Sequence, residues 1–212
     1  MAKALAWDMD GTLLDSGSAV PSAYVAAVRA LGGPDLTPGQ VVDAYAVGPP
    51  EVLLAHLLGR DLVAGDAEAY YAELSDAVAP AYPGVPEVLA ALRERGQPVA
   101  VFTGASSRAA SMLLAAAGIG VTTLTGGEEA RRPKPDPDGL LLAARRLGVP
   151  PADIGYIGDA PNDMRAARAA GAVSLAAAWG HQYDPAEPAD YTLARPGDAL
   201  ALLAGGPQIG AV

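Results

Sequence analysis

The chain has 212 residues, 51% of them hydrophobic and 18% charged, with 14 Lys and Arg against 24 Asp and Glu for a formal charge of −10. A chain of this length and apolar content buries about 70% of its extended surface, which argues against disorder and sets an expectation of one or two domains. The acidic balance argues against nucleic acid and anionic membranes as partners, and the lack of cysteine excludes disulfides, thiolate nucleophiles and Cys-ligated metal centres within the chain.

No apolar stretch approaches the ~20 residues of a bilayer span, and Met1 to Leu5 lacks the apolar segment of a signal peptide. A soluble, cytoplasmic protein is expected, monomeric or homodimeric. Short apolar runs alternating with helical patterns predict βα units around a mostly parallel sheet. Strands are predicted at Ala4–Trp7, Val99–Phe102, Val121–Leu124, Ile154–Ile157 and Ala172–Ala176. Helices are predicted at Pro86–Arg95, Arg108–Ala117, Asp138–Leu147 and Asn162–Ala170, the last three closed by Gly118, Gly148 and Gly171.

Residues 16–82 break this rhythm. They show helical patterns at Pro21–Leu31, Pro38–Ala46, Pro50–Leu58 and Asp66–Val78, punctuated by Gly32-Gly33-Pro34 and Gly48-Pro49-Pro50, and no convincing strand. An all-helical insertion in an α/β chain predicts a second small domain. The division expected is therefore 1–15 with 83–212 for the core and 16–82 for the insertion. The tail from Gly205 to Val212 is expected to fray.

Four short motifs carry chemistry. Asp8 and Asp10 lie two residues apart just after the first strand, in Asp8-Met9-Asp10-Gly11-Thr12. Alone, such a pair is equally a loop or helix-capping feature. Thr103 follows the second strand, in Thr103-Gly104-Ala105-Ser106, where a hydroxyl beside helix-start N–H groups binds a phosphate oxygen or simply caps the helix. Lys134, one of only two lysines, sits between prolines that stiffen its loop. Asp159 and Asp163 follow the fourth strand, with Pro161 placing the first before a helix and the second in its first turn, where an N-cap and a dipole-compensating acid are also expected.

Taken together the motifs converge, because all fall at or beyond the carboxyl ends of predicted parallel strands, where open α/β sheets bind ligands. Carboxylates gathered there repel, each pair at ~4 Å by about 4 kcal/mol at an effective dielectric near 20. A cation must balance them. An all-oxygen set suits Mg2+ with waters and a substrate phosphate.

In order and composition these motifs resemble those of the haloacid dehalogenase-like (HAD) superfamily, specifically its phosphoglycolate phosphatase-like branch. Tyr82-Pro83-Gly84-Val85, Arg145-Arg146-Leu147-Gly148-Val149 and the run Met164 to Gly171 extend the likeness over about residues 4–180. The resemblance implies a Rossmannoid, doubly wound parallel core with a mobile helical cap, and hydrolysis of a small phosphorylated metabolite. It implies Asp8 as the nucleophile forming an aspartyl-phosphate and Asp10 as the acid, then base. Mg2+ would be held by Asp8, the Asp10 backbone carbonyl and Asp159, with Asp163 in support. Thr103 and Lys134 would grip the phosphoryl group, aided by the amides of Gly104 and Ala105, since Gly104 replaces the Asn or Ser found in many relatives. Trp7 is a second departure, standing where a smaller side chain is more usual.

Relatives differ at identifiable points. Dehalogenases lack the second carboxylate of the first motif, so Asp10 favours phosphoryl transfer. Phosphonatases use a cap lysine, and residues 16–82 contain none. A phosphomutase of the same superfamily, and a receiver-like or non-catalytic phosphate-binding module, are the alternatives; the helical insertion and the late Asp159/Asp163 pair weigh against a receiver. Arg29, His56 and Arg60 are the cap groups that would meet a substrate, though exposed helix positions explain each. Arg131 and Arg132 beside Lys134 read as solvated charge, and Trp179 with His181 as filling of the core edge.

Overall fold

Ala4–Trp7 (β1) is an apolar run buried along its whole length, as a central strand covered on both faces must be. In this computed structural model, which describes residues 2–203, β1 is followed by α1 (Ala19–Ala30), α2 (Pro38–Asp43), α3 (Pro50–Leu58) and α4 (Asp66–Ser75). Next come α5 (Val85–Glu94), β2 (Ala100–Phe102), α6 (Ser107–Ala116), β3 (Thr123–Thr125) and α7 (Asp138–Leu147). The chain continues through β4 (Ile154–Gly158), α8 (Pro161–Ala170), β5 (Val173–Ala177) and β6 (Tyr191–Leu193). The frayed tail expected over 205–212 lies outside the described residues.

The six strands are all parallel in the order β3-β2-β1-β4-β5-β6. The order reverses at β1, the topological switch point at which such sheets bind ligands. Alternation along the strands splits the core in two. Ala6, Ala100, Phe102, Ile154 and Tyr156 pack with Leu140, Ala143, Ala144 and Ala167 of α7 and α8. Leu5, Trp7, Val101, Ile157 and Leu175 face the other way, with Val88 and Leu89 of α5 and Leu113 of α6. This is the doubly wound α/β architecture expected, and both faces of the sheet are covered.

Differences from the predicted elements are local. The second helix of residues 16–82 ends at Asp43 rather than running to Ala46, giving way to a 3-10 turn over Tyr45–Val47. The strand β6 was not anticipated, because its three residues include exposed Tyr191 and Thr192, leaving only Leu193 buried and no apolar run to read. Trp7 is fully buried, and its Nε1 finds no acceptor among the described residues.

Helices α1 to α4 pack on one another and share the apolar cluster of β1, which takes in Met9, Leu13, Leu14, Tyr24, Leu54 and Leu74. The chain passes from β1 into these helices and back along two adjacent extended segments. The Asp15 N–H donates to Pro80 O at 2.8 Å and the Tyr82 N–H to Leu13 O at 3.0 Å, around an antiparallel Leu14–Ala81 bridge.

Candidate active site

Beyond the carboxyl ends of β1 and β4, three carboxylates meet. Asp8, Asp159 and Asp163 each offer an oxygen, and these oxygens lie within 4.8 Å of one another. All three residues are buried. The backbone of β1 carries Asp8 to this edge, where its N–H donates to Ile157 O of β4 at 2.7 Å. Asp159 lies in the turn after β4, and Asp163 in the first turn of α8, as Pro161 implied.

Asp163 has two tasks, one for each oxygen. Its Oδ2 accepts from the Ala160 N–H at 3.0 Å, closing the start of α8, while its Oδ1 accepts from Lys134 Nζ at 2.6 Å. The helix-capping and site readings of this residue therefore coexist. Lys134 also donates to Asp8 Oδ1 at 2.8 Å and to the Tyr156 hydroxyl at 3.3 Å. Its side chain is only 14% exposed, so it is not a solvated loop lysine. Tyr156 in turn donates to Phe102 O at 2.9 Å, fixing the floor beneath the ammonium. The sequence offers little to flag Tyr156, since an aromatic in an apolar strand reads as filling.

Asp159 is held by Thr12 Oγ1 at 3.3 Å and by the Gln182 N–H at 2.9 Å. It sits in a cradle made by two glycines. A Cβ on Gly11, whose φ is +80°, or on Gly180 would overlap the Asp159 side chain.

Asp10 stands beside this trio and keeps its carboxylate outside the three-oxygen cluster. Its Oδ1 accepts from Ser16 Oγ at 2.5 Å, a partner that the sequence did not suggest. Thr103 is fully buried and its hydroxyl accepts from the Ala105 N–H at 3.1 Å. The N-cap of α6 is Ser106, which accepts from the Ala109 N–H at 3.2 Å, so Thr103 is not the helix cap. Gly104 is exposed with open space around it, and nothing among the described residues accepts from its N–H.

The electrostatics follow from burial. Desolvation pushes the Asp8 carboxyl well up; Lys134 pulls it down, and Asp163, Asp10 and Asp159 push it up again. Desolvation also raises Asp10, against the Ser16 bond and Lys134, and raises Asp159 against the Gln182 amide. For Lys134, burial works to lower the ammonium pKa, but Asp163 and Asp8 outweigh it and hold it well above its ordinary value. One permanent cation thus faces several carboxylates. The excess negative charge and the all-oxygen donor set fit a hard divalent ion such as Mg2+.

The other basic side chains singled out in the sequence lie elsewhere. Arg29 and His56 are exposed, and Arg60 pairs with Asp66 of its own helical segment at 2.5 Å. Arg132 is exposed and pairs with Asp136 at 2.9 Å. His181 is exposed rather than packed into the core edge, with Nδ1 3.3 Å from the Tyr82 hydroxyl. Its charge reaches Asp10 and Asp159, whereas Trp179 donates to Thr12 O at 2.9 Å and is a packing residue.

The family described as haloacid dehalogenase-like hydrolase matches residues 2–171. Phosphoglycolate phosphatase of Pectobacterium atrosepticum is 31% identical over 216 residues, covering 95% of this chain and 92% of the relative. Phosphoglycolate phosphatase of Escherichia coli (strain K12) is 30% identical over 213 residues, covering 87% and 84%. Among solved structures, CbbY from Rhodobacter sphaeroides in complex with phosphate superposes with a TM-score of 0.77 at 24% identity, over 93% of this chain and 96% of that one. No helix among the described residues is long and apolar enough to cross a membrane. With fold, acidic cluster and sequence likeness in agreement, the chain belongs to the haloacid dehalogenase-like hydrolases and is similar to their phosphoglycolate phosphatases.

Proposed function

We propose that this protein is a Mg2+-dependent phosphatase that hydrolyses a small phosphomonoester through an aspartyl-phosphate on Asp8. The observation that carries the reading is the shared ammonium: Lys134 bridges Asp8 and Asp163 at 2.8 and 2.6 Å, within a buried all-oxygen cluster at the sheet's switch point. The residues suited to hold the ion are Asp8, Asp159 and Asp163 by carboxylate and Asp10 by its backbone carbonyl. When bound, Mg2+ supplies positive charge that offsets the repulsion between an anionic nucleophile and a phosphate dianion.

The rest of the chemistry belongs to side chains. An oxygen of the Asp8 carboxylate attacks phosphorus as the P–O bond to the alcohol breaks. Asp10, raised by burial and therefore able to hold a proton, delivers it to the departing alkoxide. Asp10, now ionised, takes a proton from the water that attacks the phosphorus of the acyl phosphate, which releases phosphate and restores Asp8. Lys134 and the Thr103 hydroxyl bind the phosphoryl oxygens throughout, with the Gly104 and Ala105 amides as further donors. The Ala105 N–H must exchange its Thr103 acceptor for the substrate, whereas Gly104 has none to release among the described residues. Residues 16–82 act as a cap over this edge, hinged at the paired segments around Leu14 and Ala81.

The test is Mg2+-dependent hydrolysis of p-nitrophenyl phosphate, with EDTA, vanadate and Asp8→Asn as controls. Turnover that EDTA silences, that Mg2+ restores, and that Asp8→Asn lowers to under about 1% with the fold intact supports the reading. Activity indifferent to chelation, or an active Asp8→Asn, contradicts it.

A further inference from the structure

The turn between β2 and α6 carries the proposed phosphate donors, and it is held from two sides. From the sheet side, the Thr103 N–H donates to Thr125 O at 3.1 Å, the Gly127 N–H to Ala105 O at 2.7 Å, and the Ser107 N–H to the Glu128 carboxylate at 2.9 Å. From the helical segment comes one contact. Ser106, only 5% exposed, lies with its Oγ 3.1 Å from the Tyr71 hydroxyl of α4, and among the described residues Tyr71 is the one hydrogen-bond partner that this turn has in residues 16–82.

The neighbours of this contact fix its direction. Tyr71 donates to Glu51 Oε1 of α3 at 2.7 Å, and since a carboxylate only accepts, the single proton of the phenol is taken. Ser106 must then donate its own proton to the Tyr71 oxygen, while its Oγ accepts from the Ala109 N–H at 3.2 Å as the N-cap of α6. Burial pushes the Tyr71 hydroxyl up to about 12; the Ser106 bond lowers it and the Glu51 bond raises it, as accepting from one and donating to the other require. A one-way relay therefore runs from the Ala109 amide through Ser106 and Tyr71 to Glu51. Beside it, Arg108 of α6 makes two 2.6 Å bonds to Glu68 of α4 and lies 3.8 Å over the Tyr71 ring. That ion pair is half exposed or more and contributes little alone, so the buried hydroxyl pair is the contact that registers alignment.

We propose that Tyr71 is a positioning residue that couples the seating of α3 and α4 to the grip on the phosphoryl group, a step that rests on the phosphatase reading above. With Tyr71 on Ser106, the start of α6 and the Gly104 and Ala105 amides ahead of it are held from both sides. With α4 withdrawn, Ser106 loses the acceptor for its proton and the turn keeps its sheet-side contacts alone. Such a coupling is reciprocal: an anion that orders the turn favours the seated α4 by the same factor.

Hydrogen exchange of the Mg2+-loaded protein, with and without inorganic phosphate, reads this coupling apart from turnover. In the parent, phosphate slows exchange over residues 104–109 and also over 66–75, the latter by about fivefold or more. In Tyr71→Phe, which keeps the ring beneath Arg108 and removes only the hydroxyl, the response of 66–75 is lost while that of 104–109 persists, and kcat/KM for p-nitrophenyl phosphate falls by about fivefold to tenfold. Ser106→Ala, made from the other side of the contact, loses the same response. A response of 66–75 that survives both substitutions, or that is missing from the parent while 104–109 is protected, overturns the coupling. So does faster exchange of α4 in Tyr71→Phe that is equal with and without phosphate, the mark of a merely structural side chain, if kcat/KM is unchanged. A parent that neither hydrolyses p-nitrophenyl phosphate nor responds to phosphate anywhere instead overturns the phosphatase reading on which the coupling rests.

Discussion

The hydroxyl of Ser16 donates to Asp10 Oδ1 at 2.5 Å, so the first residue of the helical segment holds the carboxyl group that lies beside the trio of Asp8, Asp159 and Asp163. The bond favours the ionised form of Asp10 against burial, which raises its pKa. In Ser16→Ala that restraint is lost and the Asp10 pKa rises further. Because the proposed first step needs Asp10 protonated, the alkaline limb of kcat/KM is expected to move to higher pH, while loss of positioning lowers the maximum by about fivefold. A pH–rate profile of the two proteins checks both signs.

Lys134 is the cation for two buried carboxylates, so removing it costs more than a phosphate contact. Lys134→Met is expected to lower turnover by about 10²–10³-fold or more. In EDTA it also destabilises the protein by about 3 kcal/mol at pH 7, since Asp8 and Asp163 are left without their partner. The loss narrows at lower pH, where the Asp8 carboxyl, raised by its burial, takes up a proton. Urea midpoints at pH 7 and pH 5 measure it.

Gly11→Ala places a Cβ against the Asp159 carboxylate at a backbone φ of +80°, strained for any other residue. The variant is expected to need about tenfold more Mg2+ for half-maximal activity, with a smaller effect on kcat at saturating ion. An unchanged Mg2+ titration would remove Asp159 from the ion site.

Away from the site, Arg146 donates to Glu129 Oε1 at 3.0 Å and to its other oxygen, and these bonds, with the Gly126 amide, take the Glu129 carboxyl down to about 2. A carboxyl depressed in the folded state stabilises above its unfolded value near 4.5 and loses that contribution as pH falls towards 2. Glu129→Gln should thus be less stable than the parent at pH 7, by under about 1 kcal/mol for so partly exposed a pair. The difference should shrink on acidification from pH 5 to pH 2.5 in thermal melts.

What the sequence could reveal was set by the physics of each feature. The four inner strands announced themselves because central strands of a parallel sheet are near-continuous apolar runs, edge strand β3 showed only through Val121–Leu124, which overlaps two of its three residues, and Gly148 and Gly171 ended their helices in the left-handed conformation. Asp8, Lys134, Asp159 and Asp163 were legible as positions at strand ends, although 126 residues separate the two partners of the Lys134–Asp8 bond. Ser16, Tyr156 and Gln182 were not, because a hydroxyl, a strand aromatic and a backbone amide acquire meaning only from what the fold lays beside them. Edge strand β6, with one buried residue of three, lacked the pattern that periodicity detects.

The account turns on Asp8 carrying the phosphoryl group, and rapid acid quenching of the Mg2+-loaded protein during turnover, followed by borohydride reduction and peptide mass spectrometry, reads that directly. Reduction of an aspartyl-phosphate leaves homoserine, expected at position 8 and absent in Asp8→Asn. Homoserine at another aspartate, or an unmodified position 8 while phosphate is released, would contradict it.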